Sequence, residues 1–360
     1  MSEFRDDKRG RNLPRRPSGT DAGGFEPADL VFIGGTGRSG TTVLAELLGH
    51  HSRFFAVPIE CRFHCHPKGL ADVAAGRTTP EDFVRKLRTY WWYRVRVGSK
   101  AIVPTGFAGR LRLAALRLRQ RLGLGPREEV RVRGLHQIID RDRFDQAIGR
   151  FEDAHRADLL QASRDLFYDL IAPAREASGK PAVVEMSTFS IGAAPELTRI
   201  FPEARFVHSV RDGRDSGASK VGLREKEHHP TDAISGIDFW ADRLRRADLG
   251  VKGLSGDEAS RLHLISLDEL VWADRERTYA ELLDFLGADD EQPMRDFFEL
   301  RMTGQAANRG RWREGLDEAE QREVTEHYEA TLARLEREGY HSAALLRRTY
   351  ERTLASQPSA

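Results

Sequence analysis

The chain has 360 residues, enough for one large α/β domain or two modest ones with a substantial core. Its 57 basic residues face 56 acidic ones, which argues against a dedicated nucleic-acid binder. Two cysteines, Cys61 and Cys65, cannot build a disulfide framework, and neither a secretory signal nor an apolar run of about 20 residues is present, so a cytoplasmic protein is expected.

Residues 1–28 are polar, charged and rich in Gly and Pro, and predict a disordered lead-in. Leu30-Val31-Phe32-Ile33 has the apolar character of a buried parallel strand. It runs into Gly35-Thr36-Gly37-Arg38-Ser39-Gly40-Thr41-Thr42, after which Val43, Leu44, Leu47 and Leu48 form a helical stripe. A second strand is predicted over 54–59, ending at Glu60. Residues 62–180 read as mainly helical. Further strands are expected at Ala182-Val183-Val184, over 205–210 leading into Arg211-Asp212-Gly213, and over 262–266. A helix around Tyr279, Leu282, Leu283 and Leu286 stops at Gly287, and a last one carries Val324, Tyr328, Leu332 and Leu335. Strands alternating with helices predict an α/β fold of P-loop type: three layers, a central parallel sheet flanked by helices, and a helical insert. With no clear linker, one domain over 29–352 is expected, followed by a loose tail, 353–360.

A strand, a glycine-rich turn and a helix make an anion site, because backbone N–H groups and the positive helix end converge on phosphate-like oxygens. Three nucleotide families compete for this turn. Gly35-x-Gly37-x-x-Gly40 satisfies the dinucleotide fingerprint, and Glu60 stands where a ribose-binding acid would, so an NAD(P)-dependent oxidoreductase is a serious alternative. The nucleoside-triphosphate loop also nearly fits, but Thr41 occupies the place of its lysine. Sulfuryl transfer from 3′-phosphoadenosine 5′-phosphosulfate (PAPS) is favoured by three features. Arg38 through Thr42 puts a cation and three hydroxyls at a phosphosulfate-sized site. Arg211 and Ser219, after the fourth strand, are spaced to face one anion. Asn308-Arg309-Gly310-Arg311-Trp312-Arg313 offers a second basic segment for a 3′-phosphate, which NAD lacks.

Taken together, these motifs resemble those of the PAPS-dependent sulfotransferases, nearer the tyrosylprotein and bacterial branch than the steroid and phenol branch. The resemblance spans residues 31 to about 340. It implies that Thr36, Gly37, Arg38, Ser39, Gly40, Thr41 and Thr42 hold the 5′-phosphosulfate and that Arg211 and Ser219 hold the 3′-phosphate. Gly310, Arg311 and Trp312 would close over the nucleotide, with Trp312 stacked on adenine. The segment Leu267–Val271 also resembles a family segment, in which tyrosine commonly stands where Leu267 does. One departure is Met186, which stands where family members often place a lysine; Arg38, or hydroxyls such as Ser187 and Thr188, would then assume its work.

Sulfuryl transfer demands in-line attack, positive charge at the leaving phosphate and a base for the acceptor proton. Glu60 is the candidate base, since Glu60-Cys61-Arg62 resembles the segment that carries the catalytic glutamate; a surface carboxylate at a strand end is the alternative. Arg38 would stabilise the leaving 5′-phosphate, and Arg62 would partner Glu60 or contact sulfate. His64 and His66 are alternative bases. No metal is expected, because Cys61, His64, Cys65 and His66 lack a second ligand pair.

Trp91, Trp92 and Tyr93 read as core or as an acceptor pocket, and Trp240 as core. Residues 83–127 hold 12 Lys or Arg and no acid. Here Leu111, Leu113, Leu116, Leu118 and Leu122 interleave with arginines, as in a segment that touches anionic lipid or in a solvated helix whose arginines cover an apolar face. The expected reaction is sulfuryl transfer to a hydroxyl of a small-molecule or lipid-like acceptor, with the 3′,5′-bisphosphate (PAP) as product. A non-catalytic nucleotide-binding module is the remaining alternative.

Overall fold

The computed structural model describes residues 30–97, 100–102, 109, 111, 114, 115, 118, 130–221 and 230–355. Its centre is a five-stranded parallel sheet in the order β2-β6-β1-β7-β8, formed by β1 (Leu30–Gly35), β2 (Phe54–Ala56), β6 (Ala182–Glu185), β7 (Arg205–Val210) and β8 (Leu262–Ser266). Alternation along β1 explains its unbroken apolar sequence: Leu30 and Phe32 enter one core, Val31 and Ile33 the other. Phe32 packs among Phe167, Phe201 and Phe206, with ring centroids 5.6–5.7 Å apart. On the opposite face, Leu44, Leu47 and Leu48 of α1 (Thr41–Gly49) meet Val207, Ile265 and Leu282.

The central sheet has the predicted architecture of a parallel sheet between helices. The predicted second strand is shorter than expected, ending at Ala56, although the Val57 amide still donates to the Val184 carbonyl at 2.9 Å. The stretch expected to be mainly helical also contains an antiparallel sheet, in the order β4-β3-β5, of β3 (Arg94–Val97), β4 (Lys100–Ile102) and β5 (Val130–Arg133). Its helices α2 (Arg141–Ala154) and α3 (Leu159–Ser178) form a hairpin, whose Phe144, Phe151, Leu166 and Phe167 complete the first core.

Helices α4 (Gly213–Val221) and α5 (Ala233–Lys252) cross where Gly217 meets Gly236; a methyl on Gly217 would lie 2.6 Å from the Gly236 carbonyl carbon. Helix α6 (Arg275–Leu286) covers β8, and α7 (Glu318–Arg337) packs Tyr328 and Leu332 on Trp240 of α5, the core role expected for that tryptophan. A final helix α8 (His341–Ala355) replaces the start of the expected loose tail, with Leu346 and Tyr350 in the same cluster. The predicted lead-in lies outside the described residues. So does most of the basic segment over 83–127, including Leu113, Leu116 and Leu122; Leu111 and Leu118 are described, and both are exposed. Among the described residues no helix is long and apolar enough to cross a membrane.

Candidate active site

The turn from β1 to α1 is shaped by contacts that its glycines permit. A methyl group on Gly35 would overlap the Ser209 carbonyl oxygen of β7, so the turn lies directly on the neighbouring strand. Gly40 precedes α1 with φ 88°, a left-handed conformation that glycine adopts without the strain of a β-carbon. Arg38 also has positive φ, 63°. Thr36, Gly37, Arg38, Gly40, Thr41 and Thr42 line one wall of a cleft of about 800 Å³ at the ends of β1 and β7. Ser39 does not: its hydroxyl is buried beneath the turn, so two of the three expected hydroxyls, on Thr41 and Thr42, face the cleft.

Arg211 and Ser219 line the same cleft, and the structure adds Arg38 to them. Arg38 Nε donates to Ser219 Oγ at 2.7 Å, which turns this guanidinium toward α4. Arg211 is nearly buried. Its Nη2 donates to the carbonyls of Ala307 (2.6 Å) and Asn308 (3.3 Å), and Asp215 lies 3.6 Å away. Asp215 in turn accepts from the amides of Gly310 (2.8 Å) and Trp312 (3.2 Å). Strand β7, helix α4 and the loop 307–312 are thereby tied together, and Asn308 and Arg311 face the cleft.

Two expectations for that loop are corrected. Trp312 is only 5 % exposed and belongs to the α5–α7–α8 core, with Arg214 and Arg313 over its ring at 4.7 and 4.5 Å. A ring packed in this way is not an adenine platform. Gly310 also faces away from the main cleft, into a small pocket shared with Trp312, Asp212 and Asp268.

The same cleft also holds Glu60, Arg62 and His66. Arg62 Nε donates to Glu60 Oε2 at 2.6 Å, and Nη2 makes a second contact to the same oxygen, so the expected partnership is present. The segment is positioned by Glu185, at the end of β6 and fully buried. Its carboxylate accepts from the Cys61 amide (2.9 Å), the Ser187 amide (2.8 Å) and the Ser187 hydroxyl (2.6 Å). The Ser187 oxygen accepts from the Arg62 amide at 3.0 Å. That hydroxyl is committed to holding the segment and is not available to replace a lysine; Thr188 does line the cleft.

His64 is overturned as an alternative base. It is fully buried, with Nε2 3.1 Å from Glu185 and 3.0 Å from the Ser190 hydroxyl. Burial opposes its charge, but Cys65 and the Glu185 carboxylate outweigh that and raise its pKa. His66 does reach the cleft. There, burial above all, and then the charges of Arg62 and His64, drive it down to about 2, so it is neutral at physiological pH and a very weak base. Cys61 is a buried free thiol, and no three metal-ligating side chains converge among the described residues.

Met186 packs into the core against the α1 side of the sheet and does not line the cleft. A cation that sequence reasoning missed does line it. Lys220 Nζ would lie 3.7 Å from a methyl on Gly37, and Thr188 Cγ2 would lie 3.5 Å from the same point. The ammonium is thus beside the glycine turn and the segment that follows Met186. Adjacency to Ser219 is the only sequence signal that could have marked it.

Residues 29–292 match the model of a family described as the sulfotransferase family. The chain belongs to that family. Among solved structures, this sulfotransferase is similar to the sulfotransferase domain from the Synechococcus PCC 7002 olefin synthase, with 16 % identity and a TM-score of 0.40 over 84 % of this chain and 93 % of that one. It is also similar to the sulfotransferase domain from the curacin biosynthetic pathway, with 16 % identity, a TM-score of 0.38 and coverage of 78 % and 82 %. For sulfotransferase STF1 from Mycobacterium tuberculosis H37Rv the values are 14 %, 0.39, 83 % and 76 %. No curated protein matches the chain.

Proposed function

We propose that this sulfotransferase moves a sulfuryl group from PAPS to the hydroxyl of a small-molecule or lipid-like acceptor, releasing PAP. The observation that carries the reading is the convergence on one cleft of the glycine turn, the Arg38–Ser219 pair, Arg211 and the 308–311 loop. A donor with anionic groups at both its 3′ and 5′ ends uses all of these, whereas NAD has no 3′-phosphate to occupy the second group. Amides of the turn, with Thr41 and Thr42 at the start of α1, bind the 5′-phosphosulfate. Ser219, Arg38 and Arg211 take the 3′-phosphate.

In the transfer, the acceptor oxygen bonds to sulfur as the sulfur–oxygen bond to the 5′-phosphate breaks. The electron pair leaves with the phosphate and the acceptor proton passes to Glu60. Glu60 is the proposed base because His64 is buried and His66 is too weakly basic. Arg62 orients its carboxylate. Lys220, beside Gly37, supplies with the turn amides the positive charge to the leaving phosphate that Met186 cannot, while Arg38, held by Ser219, serves the 3′-phosphate.

A ligand that binds only the native state raises the melting temperature, so PAP, NAD and ATP compared in thermal-shift titrations separate the donor classes. PAP should give the largest shift. A shift with NAD and none with PAP would overturn the reading in favour of an oxidoreductase.

A further inference from the structure

Beyond Lys220, the cleft wall continues along α5. Phe239 follows, with Lys220 Nζ 5.8 Å from its ring centroid, and then Arg243, whose guanidinium carbon lies 5.1 Å from the Phe239 ring and 4.9 Å from that of Phe189. Phe189 itself packs edge-on against His66 at 4.4 Å, in the segment that carries Glu60. Arg243 is therefore linked through Phe239 and Lys220 to the glycine turn, and through Phe189 and His66 to the Glu60 segment. It lines the same cleft as the glycine turn and Glu60.

Arg133 and Arg301 of the same cleft are exposed to solvent, whereas Arg243 is partly buried and still lacks an acid. Glu60 is paired with Arg62 and Asp215 with Arg211, but among the described residues no carboxylate lies within ion-pair distance of Arg243. It is half-buried between aromatic rings, and burial and nearby Arg246 both disfavour its charge. A cation kept in that setting lacks the counter-charge that partly buried charges ordinarily find. Its planar guanidinium is suited to a carboxylate, sulfate or phosphate, and the rings hold it in place without using its N–H donors.

We infer that the acceptor is itself an anion, a hydroxylated molecule bearing a carboxylate, sulfate or phosphate group, and that Arg243 binds this group while the hydroxyl lies at Glu60. The inference rests on the sulfuryl-transfer reading and narrows its acceptor. It places Phe189 and Phe239 as the apolar sides of the acceptor pocket and Arg243 as its specificity-determining residue.

Three phenols that differ in side-chain charge test this: 4-hydroxyphenylacetate, 2-(4-hydroxyphenyl)ethanol and tyramine. Each is titrated calorimetrically into the PAP-saturated enzyme. The anion should bind at least about tenfold more tightly than the neutral alcohol, the effect of one charge-assisted hydrogen-bonded contact, and tyramine should bind most weakly. Arg243→Gln should reduce the anion-to-neutral ratio to below about twofold while PAP binding persists. Arg243→Glu, a second change at the same position, should invert the order in favour of tyramine. Equal binding of the three phenols by wild-type enzyme, or a preference for the anion that survives both substitutions, would overturn the inference. Failure of the wild-type enzyme to bind PAP would instead overturn the donor assignment, so the two failures are distinguishable.

Discussion

Replacing Lys220 by methionine removes the ammonium beside the glycine turn and keeps a similar apolar stem. Nζ stands 3.7 Å from where a β-carbon on Gly37 would lie, which puts an ordinary ion-pair separation of roughly 4 Å to a phosphate oxygen beside the turn within reach. Two unit charges at that distance interact by about 4 kcal/mol at the effective dielectric of about 20 that suits sites near a protein surface. Only charge that develops on the way to the transition state accelerates the step. If about half an elementary charge develops on the leaving phosphate, the loss is about 2 kcal/mol, or about 30-fold in kcat. Lys220→Arg keeps the charge and should lose much less. The assay is single-turnover transfer of ³⁵S from labelled PAPS to a phenolic acceptor, with the KM for PAPS measured alongside. A kcat within threefold of wild type, combined with a raised KM, would show that Lys220 binds the ground and transition states alike, and would refute the assigned role.

Glu60→Gln should reduce transfer by about 10²–10⁴-fold while PAP still raises the melting temperature; unchanged turnover would remove Glu60 as the base. Gly40→Ala forces a β-carbon to φ 88° and to within 2.7 Å of Leu267 Cδ1, a loss of about 2–4 kcal/mol from backbone strain and overpacking. In a Leu267→Ala background the overpacking part should vanish, and an undiminished loss in denaturant titration would refute the contact. Burial, then the negative charge of Asp212, raises Asp268 to about 6, so the folded state holds its proton where the unfolded chain, at about 3.9, has released it. Stability from this group is complete below the unfolded value and falls as pH rises to about 6. Asp268→Asn should therefore gain melting temperature over wild type between pH 4 and pH 7, and a difference that stays constant would exclude the effect.

The central strands were legible because burial on both faces leaves only apolar residues, as in Leu30–Ile33 and Ala182–Val184. The glycine turn was legible because close approach to β7 and positive φ demand glycine at fixed places. The small antiparallel sheet was hidden by its chemistry. Arg94-Val95-Arg96-Val97 and Val130-Arg131-Val132-Arg133 do alternate, but in an arginine-rich stretch they read as part of a solvated helix. Trp312 misled for a related reason, since an aromatic among cations suggests a nucleotide platform; here Arg214 and Arg313 pack on the ring themselves. The positions of Lys220, Arg243 and Glu185 at the cleft and beneath it are set only in three dimensions. The glycine contact between α4 and α5 places the two cations along one wall, and no spacing in the chain encodes that juxtaposition.

Arg211 joins the glycine turn to the 307–312 loop as well as facing the cleft. Arg211 directs Nη2 at the Ala307 and Asn308 carbonyls and Nη1 at the Arg38 carbonyl, 3.4 Å away, while its Nε is buried with no partner. Part of its hydrogen-bonding capacity therefore holds the loop and the glycine turn in register. Loss of the side chain releases two cleft walls at once, so Arg211→Ala should weaken PAP through the displaced loop as well as through the missing cation. Ser219 has the simpler position: its hydroxyl accepts from Arg38 and presents to the cleft without bridging distant carbonyls. Ser219→Ala is accordingly the cleaner probe of the 3′-phosphate. If the assignment is right, its effect is confined to ligands that carry that group, and an equal loss for adenosine 5′-phosphate would move the 3′-phosphate elsewhere in the cleft.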